Sequence, residues 1–111
     1  MDIHICEKNR NLIVEISGEI DHHCVTNARD QIDRAYSRLN ARNIIFDFEN
    51  VNFMDSSGIG MIIGRYRNIK DKGAKVAASN INSDLMRIFE ISGLKKIIPC
   101  YKNIDEAVKS L

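Results

Sequence analysis

The chain has 111 residues, 44% of them apolar and 28% charged, and 16 basic against 15 acidic residues leave a formal net charge of +1. That length suits one core and one domain spanning 1–111, and the balanced charge offers no field for nucleic acid or a membrane surface. No apolar run reaches the ~18 residues of a membrane span, Met1-Asp2-Ile3-His4 opens no leader pattern, and Cys6, Cys24 and Cys100, without C-x-x-C spacing, read as free thiols of a cytoplasmic protein.

Residues 1–6 alternate loosely about Ile3 and Ile5. Residues 11–17 alternate clearly, with Leu12, Val14 and Ile16 on one side and Ile13, Glu15 and Ser17 on the other. The polar Glu7-Lys8-Asn9-Arg10 turns one run into the other, which predicts a β-hairpin, and Gly18 is expected to end its second strand. Asp21 suits the N-cap of a helix over 22–39, because its carboxylate can accept from first-turn amides; Val25, Ala28, Ile32, Ala35, Tyr36 and Leu39 form its apolar stripe. Asn43-Ile44-Ile45-Phe46-Asp47-Phe48 is apolar at most positions, as a central strand covered on both faces is. A second helix over 57–71 turns Ile59, Ile62, Ile63, Tyr66 and Ile69 inward and Gly60, Met61, Gly64, Arg65 and Asn68 outward, and Gly73 stops it. Lys75–Ser79 is the next strand. Asn82 or Ser83 caps a third helix with Leu85, Met86, Ile88, Phe89 and Ile91 inside and Gly93 as its stop. Ile97-Ile98 reads as a short edge strand beside Pro99, and 103–110 as a last helix. The order ββαβαβα(β)α predicts an α/β domain: a small mixed, mostly parallel sheet of four or five strands, one antiparallel hairpin, and about four helices packed on it.

Asp55-Ser56-Ser57-Gly58-Ile59 lies on a strand-to-helix turn, where function concentrates on rigid scaffolds. Neither serine has the glycine spacing of a nucleophile elbow, and no oxyanion-hole sequence accompanies them, so no enzyme is expected. Asp21-His22-His23 puts three metal-binding side chains at adjacent positions, which point in different directions on a helix, so no metal site is expected. Gly58-Ile59-Gly60-Met61-Ile62-Ile63-Gly64 departs from the dinucleotide fingerprint in spacing and place, so no cofactor is expected. Its glycines instead suit the close approach of another backbone or a partner, and Met61 beside them offers an apolar contact. A phosphoacceptor fits the turn best. A serine at a helix N-terminus sits where free amides and the helix dipole favour negative charge, and a phosphate adds about −1.5 to −2 charges beside Asp55 without breaking the fold. Residue chemistry leaves Ser56 and Ser57 nearly equal as acceptors, with Ser57 the better cap.

Four segments, Gly18-Glu19-Ile20-Asp21-His22-His23, Phe53-Met54-Asp55-Ser56-Ser57-Gly58-Ile59-Gly60, Gly64-Arg65-Tyr66 and Arg87 to Ile98, together resemble the STAS-domain anti-sigma factor antagonists, most of all the anti-sigma-F branch of spore-forming bacteria. The resemblance implies a STAS fold and partner switching. The unmodified protein would bind an anti-sigma factor, itself a serine kinase carrying ATP or ADP, and so free a sigma factor for sporulation transcription. Phosphorylation of the first serine of D-S-S-G, Ser56 here, would end that binding, and a serine phosphatase would restore it. Asp21, Asp55, Ser57, Gly58, Ile59 and Met61 are the expected partner-binding residues. Two alternatives stand beside this: an antagonist in a stress-response sigma switch, and a STAS sensor of a small ligand or nucleotide, for which no phosphate-binding loop is present.

Overall fold

The computed structural model describes residues 1–111. Five strands form one sheet in chain order: β1 (Asp2–Lys8), β2 (Asn11–Ile20), β3 (Asn43–Met54), β4 (Val76–Ser79) and β5 (Cys100–Tyr101). Only β1 and β2 pair antiparallel; the other neighbours are parallel. Four α-helices connect them: α1 (Val25–Arg38), α2 (Ser56–Ile69), α3 (Ser83–Ser92) and α4 (Ile104–Ser110). The predicted α/β architecture is the one observed.

The hairpin turn is tighter than expected. Asn9 and Arg10 both take left-handed backbone, with φ of 54° and 65°, which is the two-residue turn that matches the twist of paired strands. The Arg10 carbonyl then accepts from the amides of Arg42, at 2.7 Å, and Asn43, at 3.2 Å, anchoring the start of β3. Beside it Asn43 donates to Asn11 at 3.0 Å and accepts from the Lys75 amide at 2.9 Å, so one buried amide side chain ties together the starts of β2, β3 and the segment leading into β4.

Period-2 alternation sorts the strands' side chains between two cores. Leu12, Val14 and Ile16 join Ile44, Phe46, Phe48, Val76 and Ala78 in the main core, which Ile32 of α1, Ile62 of α2 and Leu85 and Phe89 of α3 close. Phe48 stacks on Phe46 at 5.8 Å and meets Phe89 edge-on at 5.9 Å. Ile45 and Ala77 face the opposite way, under Ala107 of α4.

Several boundaries differ from expectation. Gly18 bends β2 rather than ending it: at φ 90° it sits between register shifts relative to β3, and pairing resumes through Ile20. The strand β3 runs on to Met54 because Val51 and Met54 still face the core. The first helix begins at Val25; Asp21 closes a preceding turn instead of capping it. Ile97-Ile98 is not a strand. Gly93 turns left-handed, a short 3-10 turn follows over Leu94–Lys96, and Ile98 plugs the core, so the edge strand starts only after Pro99. Ile91, expected inside, is 80% exposed.

Candidate functional site

The extension of β2 past Gly18 brings two loops together. Ile20 pairs with Met54, and the Asp55 amide donates to the Ile20 carbonyl at 3.1 Å. The segments that follow, Asp21–Cys24 and Asp55–Gly58, therefore share the carboxyl end of two parallel strands, the end at which open α/β sheets bind. His22 bridges the loops, with Nδ1 3.9 Å from Oδ2 of Asp55.

Asp55, not Ser57, caps α2. Its backbone is extended, and its carboxylate accepts from the Ser57 amide at 2.9 Å and from the Ser57 hydroxyl. An aspartate in this conformation reaches the free amides of the first turn directly, so the Ser57 hydroxyl becomes the cap's donor. That hydroxyl bond is the largest influence on the Asp55 carboxyl; with the amides of Ser57, Gly58 and His22 it outweighs desolvation and holds the group below its ordinary range. At Asp21 desolvation is the largest single influence and pushes upward, but the His23 amide, the Cys24 thiol and the two imidazoles together hold that carboxyl down as well. Both loops thus present ionised carboxylates at neutral pH.

Ser56 is the first residue of α2 and is exposed, and its hydroxyl makes no hydrogen bond. Of the two serines, it is the one whose oxygen is free. Ile59 is half-buried against the main core. Gly58 does not provide room for a partner as expected: it is buried, and a Cβ there would overlap Cγ of Met54 and lie 3.0 Å from Cγ2 of Ile20. Its missing side chain lets the start of α2 sit on the strand ends.

Met61 is also placed differently. It is 5% exposed and belongs to the main core, because α1 covers the side of α2 that was expected to face outward. Arg65 shares that side. It is 6% exposed, and its Nε lies 2.9 Å from Oδ1 of Asp33 on α1. Burial pushes the guanidinium's pKa down, Asp33 and Asp30 oppose this, and Arg29 adds to it. Between the two helices runs a cleft lined by Thr26, Arg29, Ser57, Gly60, Gly64 and Arg65 among others. Sequence reasoning missed Arg65; an arginine following Gly64 on the face expected to point outward gives no sign of burial, and only the packing of α1, which brings Asp33 beside it, explains it.

No three His, Cys, Asp or Glu side chains are grouped to hold a metal ion, and no helix is long and apolar enough to cross a membrane.

Residues 2–107 match the family model described as the STAS domain. An anti-sigma F factor antagonist from Paenibacillus polymyxa is 43% identical over 100 residues, covering 90% of this chain and 86% of that one. An anti-sigma-B factor antagonist from Bacillus subtilis is 26% identical over 98 residues, 88% of either chain. The structure of the Bacillus cell fate determinant SpoIIAA in its phosphorylated form aligns over 98% of both chains with a TM-score of 0.76 and 27% identity.

Proposed function

This chain belongs to the STAS-domain family of anti-sigma factor antagonists, and we propose that it is a cytoplasmic partner switch controlled by phosphorylation of Ser56. Unmodified, it binds an anti-sigma factor that is also a serine kinase and thereby releases a sigma factor of the sporulation programme. The kinase phosphorylates Ser56, the complex separates, and a serine phosphatase resets the cycle. The 43% identity to an anti-sigma F factor antagonist supports the sporulation assignment over a stress-response one. SpoIIAA, solved in a phosphorylated form, supports a phosphoprotein.

The observation that carries the choice of residue is the contrast between the two serines. The Ser57 hydroxyl is held by Asp55, whereas the Ser56 hydroxyl is exposed and free. A phosphate on Ser56 would adjoin the first-turn amides of α2, which tolerate it, and the ionised Asp55 and Asp21 loops, which make the surface strongly negative. A partner shaped for the unmodified surface that loses on the order of 3 kcal/mol of binding loses more than a hundredfold in affinity. Incubation with the cognate kinase and ATP, followed by mass-spectrometric mapping of the phosphopeptide, tests the assignment. Modification at Ser56 that disappears in Ser56→Ala is the expected result; undiminished modification of Ser56→Ala rejects it.

A further inference from the structure

We propose that the cleft between α1 and α2 receives an acidic side chain from a peptide segment laid across Gly60 and Gly64; that the segment belongs to the anti-sigma factor rests on the function proposed above. Three features of the cleft point to such an occupant. Its lining contains two guanidinium groups, Arg29 and Arg65, and no carboxylate, around a volume of about 230 Å³; Asp30, 3.9 Å from Arg29, and Asp33, 2.9 Å from Arg65, stand outside it. Arg65 is almost wholly buried, yet its Nη1 has no hydrogen-bond partner, and its Nε, although close to Asp33, is not aligned to donate to it. A buried donor left in that condition is costly, and a carboxylate is the group that best satisfies it, approaching the terminal edge that carries Nη1, since Nε lies on the other edge beside Asp33.

The third feature separates a peptide from a small anion. Gly60 and Gly64 lie one helical turn apart, and a Cβ at either would meet nothing within 4 Å. Neither glycine takes positive φ. The chain's own packing therefore has no use for them, while each is less favourable than alanine inside a helix. What they provide is a bare stretch of helix beside two cations, which suits the close approach of another backbone. Ser56 lies one helical turn before Gly60 on α2, so a segment laid across Gly60 and Gly64 and continued toward the helix start would approach it.

The test is a titration of the whole isotope-labelled protein, followed by NMR, with hexaglutamate and separately with inorganic phosphate. Hexaglutamate should shift the Gly60 and Gly64 amides and the Arg65 Nε–H resonance saturably. Arg29→Gln should weaken that binding at least about fivefold, and Gly64→Leu, whose side chain enters open space, should abolish it with the fold intact. The proposal is overturned if hexaglutamate leaves these resonances unmoved, or if phosphate saturates them more tightly than hexaglutamate, which would mark a small-anion site. Calorimetry with the cognate anti-sigma factor separates the two readings. Both variants should bind it at least about tenfold more weakly; equal binding by wild type and variants overturns the cleft assignment alone. Failure of the wild type to bind overturns the proposed function, while the hexaglutamate titration still decides the cleft.

Discussion

Replacing Gly58 by alanine should lower stability rather than affinity. The added Cβ would overlap Met54 Cγ, lie 2.8 Å from Met54 Sδ and stand 3.0 Å from Ile20 Cγ2, and Met54 and Ile20 are 3% and 0% exposed, so neither can move into solvent. Overpacking of this kind costs about 1–3 kcal/mol, and alanine's better helix propensity returns part of it at the first turn, leaving about 1–2 kcal/mol. A chain of 111 residues unfolds with an entropy of about 0.23 kcal/mol/K near 60 °C, so Tm should fall by about 4–9 °C. Differential scanning calorimetry reads this directly. Met54→Ala removes the atoms responsible, so it should cost less in the Gly58→Ala background than in the wild type, with a coupling of about 1 kcal/mol or more. A Gly58→Ala protein as stable as the wild type but defective in binding its anti-sigma partner would refute the steric reasoning and restore Gly58 to the partner surface.

If the proposed switch operates, Ser56→Asp should weaken binding of the anti-sigma factor by calorimetry about tenfold or more, and unchanged affinity would reject the electrostatic account. Ser57→Ala removes the main bond holding the Asp55 carboxyl down, so the Asp55 pKa followed by NMR should rise towards its ordinary value, while phosphorylation at Ser56 persists. The same depressed pKa stabilises the fold only while Asp55 is ionised: its contribution is complete above the ordinary carboxylate pKa of about 3.9 and disappears as pH falls through the lower folded value. Asp55→Asn should therefore have a lower Tm than the wild type at pH 7, and the gap should narrow as pH falls below the ordinary carboxylate range; a gap of constant size contradicts this. Phe89→Ala, which empties a fully buried site against Phe48, should cost about 3–5 kcal/mol in urea unfolding.

Where residue periodicity met a single burial surface, the sequence was a sufficient guide. Leu12, Val14 and Ile16 face the main core as their alternation predicts, and Ala28, Ile32, Ala35 and Tyr36 form the buried stripe of α1. Gly18, Met61 and Ile97 show where it fell short. A glycine after an alternating run is equally consistent with a strand end and with a bulge, and only pairing with β3 decides for the bulge. Met61 lies opposite the stripe that meets the sheet, so a pattern of one apolar face places it outside; α1 packing against α2 gives the helix a second buried side that no local signal announces. Ile97-Ile98 is β-branched and precedes a proline, yet the left-handed Gly93 winds the chain into another short turn first. At the site, the D-S-S-G turn itself was recognisable, but the division of labour within it was not, because the donor and acceptor roles of Asp55 and Ser57 depend on an extended backbone at Asp55.

That division bears on how the proposed switch would act. Within four consecutive residues, Asp55 is committed to the cap, Ser57 to Asp55 and Gly58 to packing on Met54 and Ile20, so altering any of the three disturbs the start of α2. Ser56 alone carries no structural role through its side chain. A phosphate added there meets the positive end of a helix, which stabilises rather than frays it, so modification should leave the protein's own stability unchanged or slightly raised while changing its charge. The phosphorylated chain should then keep its Tm, or gain a degree or two, as it loses its partner. A fall of several degrees on phosphorylation would mean that the signal travels through unfolding of α2 and not through the charge of an intact surface.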